Sequence, residues 1–291
     1  GVDPHFVEVT PAQLEGIRRA DLFLENGMQL EAWVPKVLEA CQRADLQQGA
    51  KAHAFVTTGI VPVEIPTHEE LHSDAHVHAA GNPHVWLDPL NLKIVASNVA
   101  DALSRVAPEQ RDLFQRRRVR FEERIDSAFF GEDLRALLGG RTLDRLHRSG
   151  RLIDFLGKRK VKGEALIAKL GGWLGRARAL DRKEVVSYHR TWSYLEGSLG
   201  LRVIATLEEK PGIPPGPAYL EALSTESRSS GVQIVIAPPY YPSVRIRGFA
   251  ERIEATALIL PTQPGEVEGA DDVFAMFDRI LSELEEAQGG Q

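Results

Sequence analysis

Apolar positions along the chain fall into two regimes, one in each half. Residues 11–27 read as a helix entered through Thr10, an N-cap residue, and Pro11 at the first helical position. Leu14, Ile17, Ala20 and Leu22 mark its apolar face. Towards its end, Leu22-Phe23-Leu24 has the look of a short buried strand closed by the turn pair Asn26-Gly27. Leu30 to Arg43 is again amphipathic, and 53–65 alternates apolar and turn residues around short strands. Asp88-Pro89 opens a helix with Leu92, Val95, Ala96, Val99 and Leu103 on one face. After Pro108 a second helix runs to about Phe130, carrying Leu113, Phe114, Val119, Phe121 and Ile125 among many charges. A long, polar helix midway along a chain suits a rigid connector between two domains.

The second half alternates strand and helix patterns. Val185 to Tyr188, Val203 to Leu207, Val232 to Ala237 and Ala257 to Leu260 read as strands. The stretches Trp192–Leu199, Tyr219–Ser229, a segment around Phe249–Ile253, and Asp271–Ala287 read as helices between and after them. The strand 232–237 is almost wholly apolar, as buried parallel strands are. Such alternation predicts an α/β chain with parallel sheets flanked by helices. No internal repeat of 20–50 residues is present. The expected organisation is an N-terminal lobe at 1–107, a linking helix at 108–130, and a C-terminal lobe at 131–291.

Composition narrows the function. The 291 residues hold no apolar run of about 18, so no segment reads as a membrane span. The start, Gly1-Val2-Asp3-Pro4-His5, lacks the basic and apolar regions of a signal peptide. A net charge of −6 argues against nucleic acid as partner. The charge is uneven: residues 141–183 carry 13 Lys/Arg against 4 Asp/Glu, leaving the rest of the chain strongly acidic. That stretch is either a solvated helical face or a patch that meets anionic lipid or a partner protein. Cys41 is the only cysteine, so intramolecular disulfides and thiolate-rich zinc sites are both excluded. Its helical surroundings make it a small core residue.

Histidine is the remaining chemistry. Of nine, His5, His84 and His189 each stand where a loop or strand ends and a helix is about to begin. Ligands in open α/β sheets bind at such strand ends. Three neutral imidazoles closed by a carboxylate or water would hold zinc. Spacing alone does not bring them together, and for each the plain alternative is a hydrogen-bonded surface or core histidine. A separate tract, 67–78, gathers His68, His72, His76 and His78 with Glu69, Glu70 and Asp74, a composition for loose metal capture or for a merely polar loop.

Three stretches carry a resemblance. They are Gly1-Val2-Asp3-Pro4-His5-Phe6-Val7-Glu8-Val9-Thr10-Pro11 with Ala20 to Gly27, then Asn82-Pro83-His84-Val85-Trp86-Leu87-Asp88-Pro89, then Val185 to Tyr194 through His189. In this order they resemble the metal-binding receptors of zinc and manganese ABC transporters, the cluster 9 (A-I) solute-binding proteins. The resemblance implies two α/β lobes joined by one long rigid helix, with the metal between the lobes. It implies His5 and His84 as ligands from the N-terminal lobe and His189 from the C-terminal lobe. It also implies an ABC-transporter permease as partner, a monomer, a periplasmic or extracellular site of action with or without a lipid anchor, and no enzymatic activity. A histidine-rich loop before the second ligand, and imidazole where manganese receptors hold a carboxylate, favour Zn2+ over Mn2+ or iron.

The sequence departs from the family pattern in three ways. The strand and helix that normally precede Gly1-Val2-Asp3-Pro4-His5 lie outside this sequence, as does a leader, and a preceding segment is expected. The usual acidic fourth ligand is absent after the last strand, which leaves water, Glu208, Gln263 or Glu266. Residues 131–180 look like an inserted helical, basic segment on the C-terminal lobe, with Arg176 and Arg178 as its test positions. The rival from another class is a zinc hydrolase using three histidines and a water; no His-Glu-x-x-His motif supports it. Since imidazole binds metal only when neutral, affinity should fall as pH drops toward ~6.5.

Overall fold

The computed structural model describes residues 2–67, 78–209 and 213–289. Two compact units divide the chain: one comprises Val2–Trp86 with Asn91–Glu122, the other Leu87–Leu90 with the chain from Glu123 onward. Each is a mixture of helices and parallel strands, the expected α/β class.

In the first unit, helix α1 (Pro11–Arg18) starts at a capping box. Thr10 accepts from the Gln13 backbone N–H, and the Gln13 side chain accepts from the Thr10 N–H, satisfying two amides that no helical partner could reach. The helix stops at Arg18, well short of 27, because the chain must straighten into strand β1 (Phe23–Glu25). Strand β1 pairs in parallel with β2 (His53–Phe55). It was expected to be buried; instead Leu24 is exposed at its centre, and only Glu25 is fully enclosed. Helix α2 (Val34–Cys41) covers the sheet with Val34 and Leu38, against Leu46, Ala52 and Phe23. Cys41 is buried, as a core residue should be. Helix α3 (Asn91–Val106) follows the Asp88-Pro89 turn, and α4 (Arg111–Phe130) follows Pro108. The boundary between the units falls within α4.

The second unit opens with helices α5 (Glu132–Leu138), α6 (Gly140–Arg148) and α7 (Leu152–Lys158). A two-stranded antiparallel hairpin, β3 (Lys160–Val161) and β4 (Glu164–Ala165), and helix α8 (Gly172–Ala179) come next. Leu134, Leu143, Leu152 and Leu156 are buried in the first three of these helices, and Trp173, Leu174 and Ala177 in α8.

The central sheet follows, with β5 (Glu184–Ser187), β6 (Arg202–Thr206), β7 (Ile234–Ala237) and β8 (Thr256–Ile259) in the order β6-β5-β7-β8, all parallel. Helices α9 (Ser193–Leu199), α10 (Pro217–Ser229), α11 (Ser243–Arg252) and α12 (Val273–Gly289) connect and cover it. Val186, Val235, Ala237, Ile246 and Phe249 are central to its core. Burial of both faces explains why β7 reads as an unbroken apolar run.

Arg176 departs from the surface role expected of it. Its guanidinium donates to Glu285 at 2.8 and 2.9 Å and to Asp278 at 3.0 Å, while Trp173 donates to Asp278 at 2.8 Å. These bonds fasten α8 to α12. The hydrogen bonds from Arg176, aided by its charge, in turn hold the Glu285 carboxyl below its ordinary value.

Candidate metal centre

His5 and His84 lie in the first unit, in two tripeptides of the same construction. In Asp3-Pro4-His5, Asp3 Oδ1 accepts from the His5 backbone N–H at 3.0 Å and lies 2.7 Å from ring Nδ1. In Asn82-Pro83-His84, Asn82 Oδ1 accepts from the His84 backbone N–H at 2.9 Å and lies 2.8 Å from Nδ1. Proline at the middle fixes φ, and the oxygen two residues back turns the chain and orients the ring together. An acceptor at Nδ1 places the ring proton there and leaves Nε2 to offer its lone pair. The Nε2 atoms of both rings are buried. The two rings stand 5.2 Å apart between centroids, close enough for both to reach one ion.

The surrounding loops fix this arrangement. Asn26 donates from its amide to Pro83 O at 3.1 Å. Its own backbone N–H and that of Gly27 donate to the Glu31 carboxylate at 2.8 and 3.0 Å. Burial outweighs those bonds and raises the Glu31 carboxyl above its ordinary value. Gly27 has φ +85°, and a Cβ there would sit 2.7 Å from the Phe55 ring, so glycine is required at the turn. Asn82 is tied down further, donating from its side-chain amide to Glu64 at 2.8 Å and from its backbone N–H to Val63 O at 2.9 Å. Trp33 Nε1 donates to Pro4 O at 3.4 Å beside His5.

His189 lies in the second unit, just past the carboxyl end of β5. Ser187 pairs with Thr206 across the parallel ladder, so His189 and Glu208 each stand two residues beyond that pair. They meet there: His189 Nδ1 is 2.8 Å from Glu208 Oε2. Ser187 Oγ donates to His189 O at 2.6 Å, and the Glu208 N–H donates to Tyr188 O at 3.0 Å. Tyr241 stacks on Tyr188 at 4.2 Å and lies 6.2 Å from the His189 ring. Burial, followed by the Glu208 charge, pushes the Tyr188 hydroxyl above its ordinary value, so it stays neutral.

Two of the side chains considered for a fourth ligand have partners of their own, although Glu266 Oε1 is buried without one among the described residues. Glu208 orients His189. Glu266 Oε2 turns back on its own loop, accepting from the Thr262 and Gln263 backbone N–H groups at 2.6 and 3.0 Å and from Thr262 Oγ1 at 3.0 Å. Gln263 is half-buried. In the histidine-rich tract, His68, His72 and His76 lie outside the described residues. His78 is described, half-buried, with its ring 5.2 Å from that of His5.

Two other histidines have core roles. His53 is buried against Glu25 at 2.9 Å, and His147 meets Phe129 and Phe130 edge-on at 5.1 and 6.1 Å. Sequence reasoning missed the orienting oxygens of Asp3 and Asn82. The signal was present, since both ligand candidates sit in the same Asx-Pro-His tripeptide.

Histidines oriented this way in an α/β chain are suited to holding a metal ion, and comparison with known sequences gives the family. The chain matches the family described as "ZnuA: Zinc-uptake complex component A periplasmic" over residues 1–129 and 164–287, and it belongs to that family. It is 23% identical over 269 residues to the high-affinity zinc uptake system protein ZnuA of Bacillus subtilis, covering 91% of this chain and 69% of that one. It is 23% identical to the zinc-binding lipoprotein AdcA of Streptococcus pneumoniae over 77% of this chain, but spans only 36% of AdcA.

Among solved structures, a zinc-bound ZnuA lacking residues 138–173 of its own sequence superposes with TM-score 0.67 at 18% identity, covering 98% of this chain and 85% of that one. The Zn(II)-bound ZnuA-like domain of AdcA superposes with TM-score 0.61 at 17% identity, covering 99% and 87%. At those identities the likeness is one of fold. Membership of an uptake-complex family sets aside the hydrolase.

Proposed function

We propose that the protein captures one divalent transition-metal ion, zinc by preference, through His5, His84 and His189, and delivers it to the permease of an ABC transporter. The observation that carries the reading is the common setting of the three rings. Each has an oxygen within 2.8 Å of Nδ1, from Asp3, Asn82 and Glu208 respectively. Metal-binding histidines are held in this way, because the acceptor fixes the tautomer and makes Nε2 the donor to the ion.

An imidazole set without carboxylate suits zinc better than manganese. The printed descriptions of the family and of its Bacillus and Streptococcus relatives name zinc uptake or zinc binding. Manganese is the second reading, since the chain is also 26% identical over 130 residues to the manganese-binding lipoprotein PsaA. The site of action is the periplasm or the outer face of the membrane. Among the described residues no helix is long and apolar enough to cross it.

The test is calorimetric titration of metal-free protein with zinc and with manganese. One equivalent of zinc should bind and should not be displaced by excess manganese. In His84→Ala, zinc affinity should fall at least tenfold. Unchanged affinity in that variant would remove His84 from the ligand set.

A further inference from the structure

The family match omits residues 130–163. That stretch is nevertheless folded into α5, α6, α7 and β3. Its inner side is apolar, with Leu134, Leu143, Leu152 and Leu156 buried. Its outer side holds a cleft of about 620 Å³ where Arg145, Arg151, Lys158 and Arg159 converge with Asp154, Leu146 and Phe155. Lys158 is neutralised by Asp154, 2.6 Å away. Among the described residues no carboxylate pairs with the other three. Among the described residues the Arg151 guanidinium donates only to the neutral Ser149 hydroxyl, at 3.1 Å, and the Arg159 guanidinium lies over the Phe155 ring, 5.5 Å from its centre.

A merely solvated helical face would look different. The same segment neutralises Arg135 with Glu132 and Arg148 with Asp144 through pairs three or four residues apart, the usual way a helix handles surface charge. The cleft arginines lack such partners among the described residues and share one concavity, where a bound anion would offset their mutual repulsion. Guanidinium is the side chain best shaped for two-point binding of phosphate oxygens. Leu146 and Phe155, both half-buried, give the same cleft an apolar wall.

We propose that this cleft binds a phosphate-bearing anion, with its charge on Arg145, Arg151 and Arg159 and its apolar part against Leu146 and Phe155. The anion is a free phosphorylated small molecule or the headgroup of an anionic lipid. The proposal is independent of the metal reading, because no proposed metal ligand lies in this segment.

The test uses the metal-free full chain at low salt, where such contacts are strongest. Pyrophosphate binding is measured by calorimetry. Vesicle binding is measured by co-sedimentation with phosphatidylcholine vesicles, with and without phosphatidylglycerol. The cleft variant is Arg151→Gln with Arg159→Gln. A control, Lys36→Gln with Lys51→Gln, removes two exposed charges from the other unit.

Pyrophosphate binding that weakens at least tenfold in the cleft variant and not in the control supports a free phosphorylated ligand. Binding only to phosphatidylglycerol vesicles, with the same dependence, supports a lipid headgroup. The proposal is overturned if neither probe binds the wild type. Equal losses in both variants, or none in the cleft variant, overturn it as well. Should the double variant melt before the wild type, Arg145→Gln alone is read by the same criteria.

Discussion

Asp3-Pro4-His5 and Asn82-Pro83-His84 spend one oxygen on two donors, the backbone N–H and the ring Nδ1 of the same histidine. On the proposed reading, metal affinity depends on the acceptor as well as on the ring. Asp3→Ala should weaken zinc binding about 10–100-fold, the usual cost of losing such a partner. Asp3→Asn keeps an acceptor and should retain most of the affinity. Equal losses in the two variants, measured by competition with a chelating dye, would mean that Asp3 acts through charge rather than orientation. At this scale the three proposed ligand histidines stand out in the sequence through the motifs around them, and the doubled Asx-Pro-His spelling was there to be read. The role of Glu208 was not. It depends on the register that sets Ser187 opposite Thr206, and residue spacing does not carry register.

Elements of the second half were legible almost end to end, because buried parallel strands and amphipathic helices leave unambiguous apolar patterns. The first half was less so. Helix α1 ends at Arg18 rather than near 27, and Leu24 faces out of a two-stranded sheet. Apolar residues on a short strand do not reveal which face is covered. The packing of α6 was also invisible in sequence. Gly140 lies against the buried Asp126 carboxylate of α4, and a Cβ there would overlap it. Gly140→Ala should therefore destabilise the protein by about 1–3 kcal/mol, the range for overpacking, and an unchanged denaturant midpoint would contradict that contact.

His147, on the same helix, makes stability depend on pH. Burial pushes its imidazole below the ordinary value. In the unfolded chain it protonates near ~6.5, so unfolding takes up a proton once pH drops under that value. Stability should fall as pH goes from 7.5 to 5.5, and less steeply in His147→Leu. Parallel slopes in thermal melts of the two proteins would refute this.

For the whole molecule, the α/β class followed from the alternation of strand and helix patterns and the family from motif order, whereas the folded segment at 130–163 falls outside the family match. Ligand binding to the native state alone stabilises it by mass action, about 4 kcal/mol at a thousandfold excess over Kd. Zinc should thus raise the melting temperature of the metal-free protein, and a chelator should reverse the rise; a melting temperature indifferent to zinc would contradict native-state binding. The most direct measurement is zinc X-ray absorption on protein carrying one equivalent of metal, for the wild type and for His189→Ala. Three imidazole nitrogens at about 2.0–2.1 Å are expected in the wild type and two in the variant. Three imidazoles in both would contradict the assignment of His189.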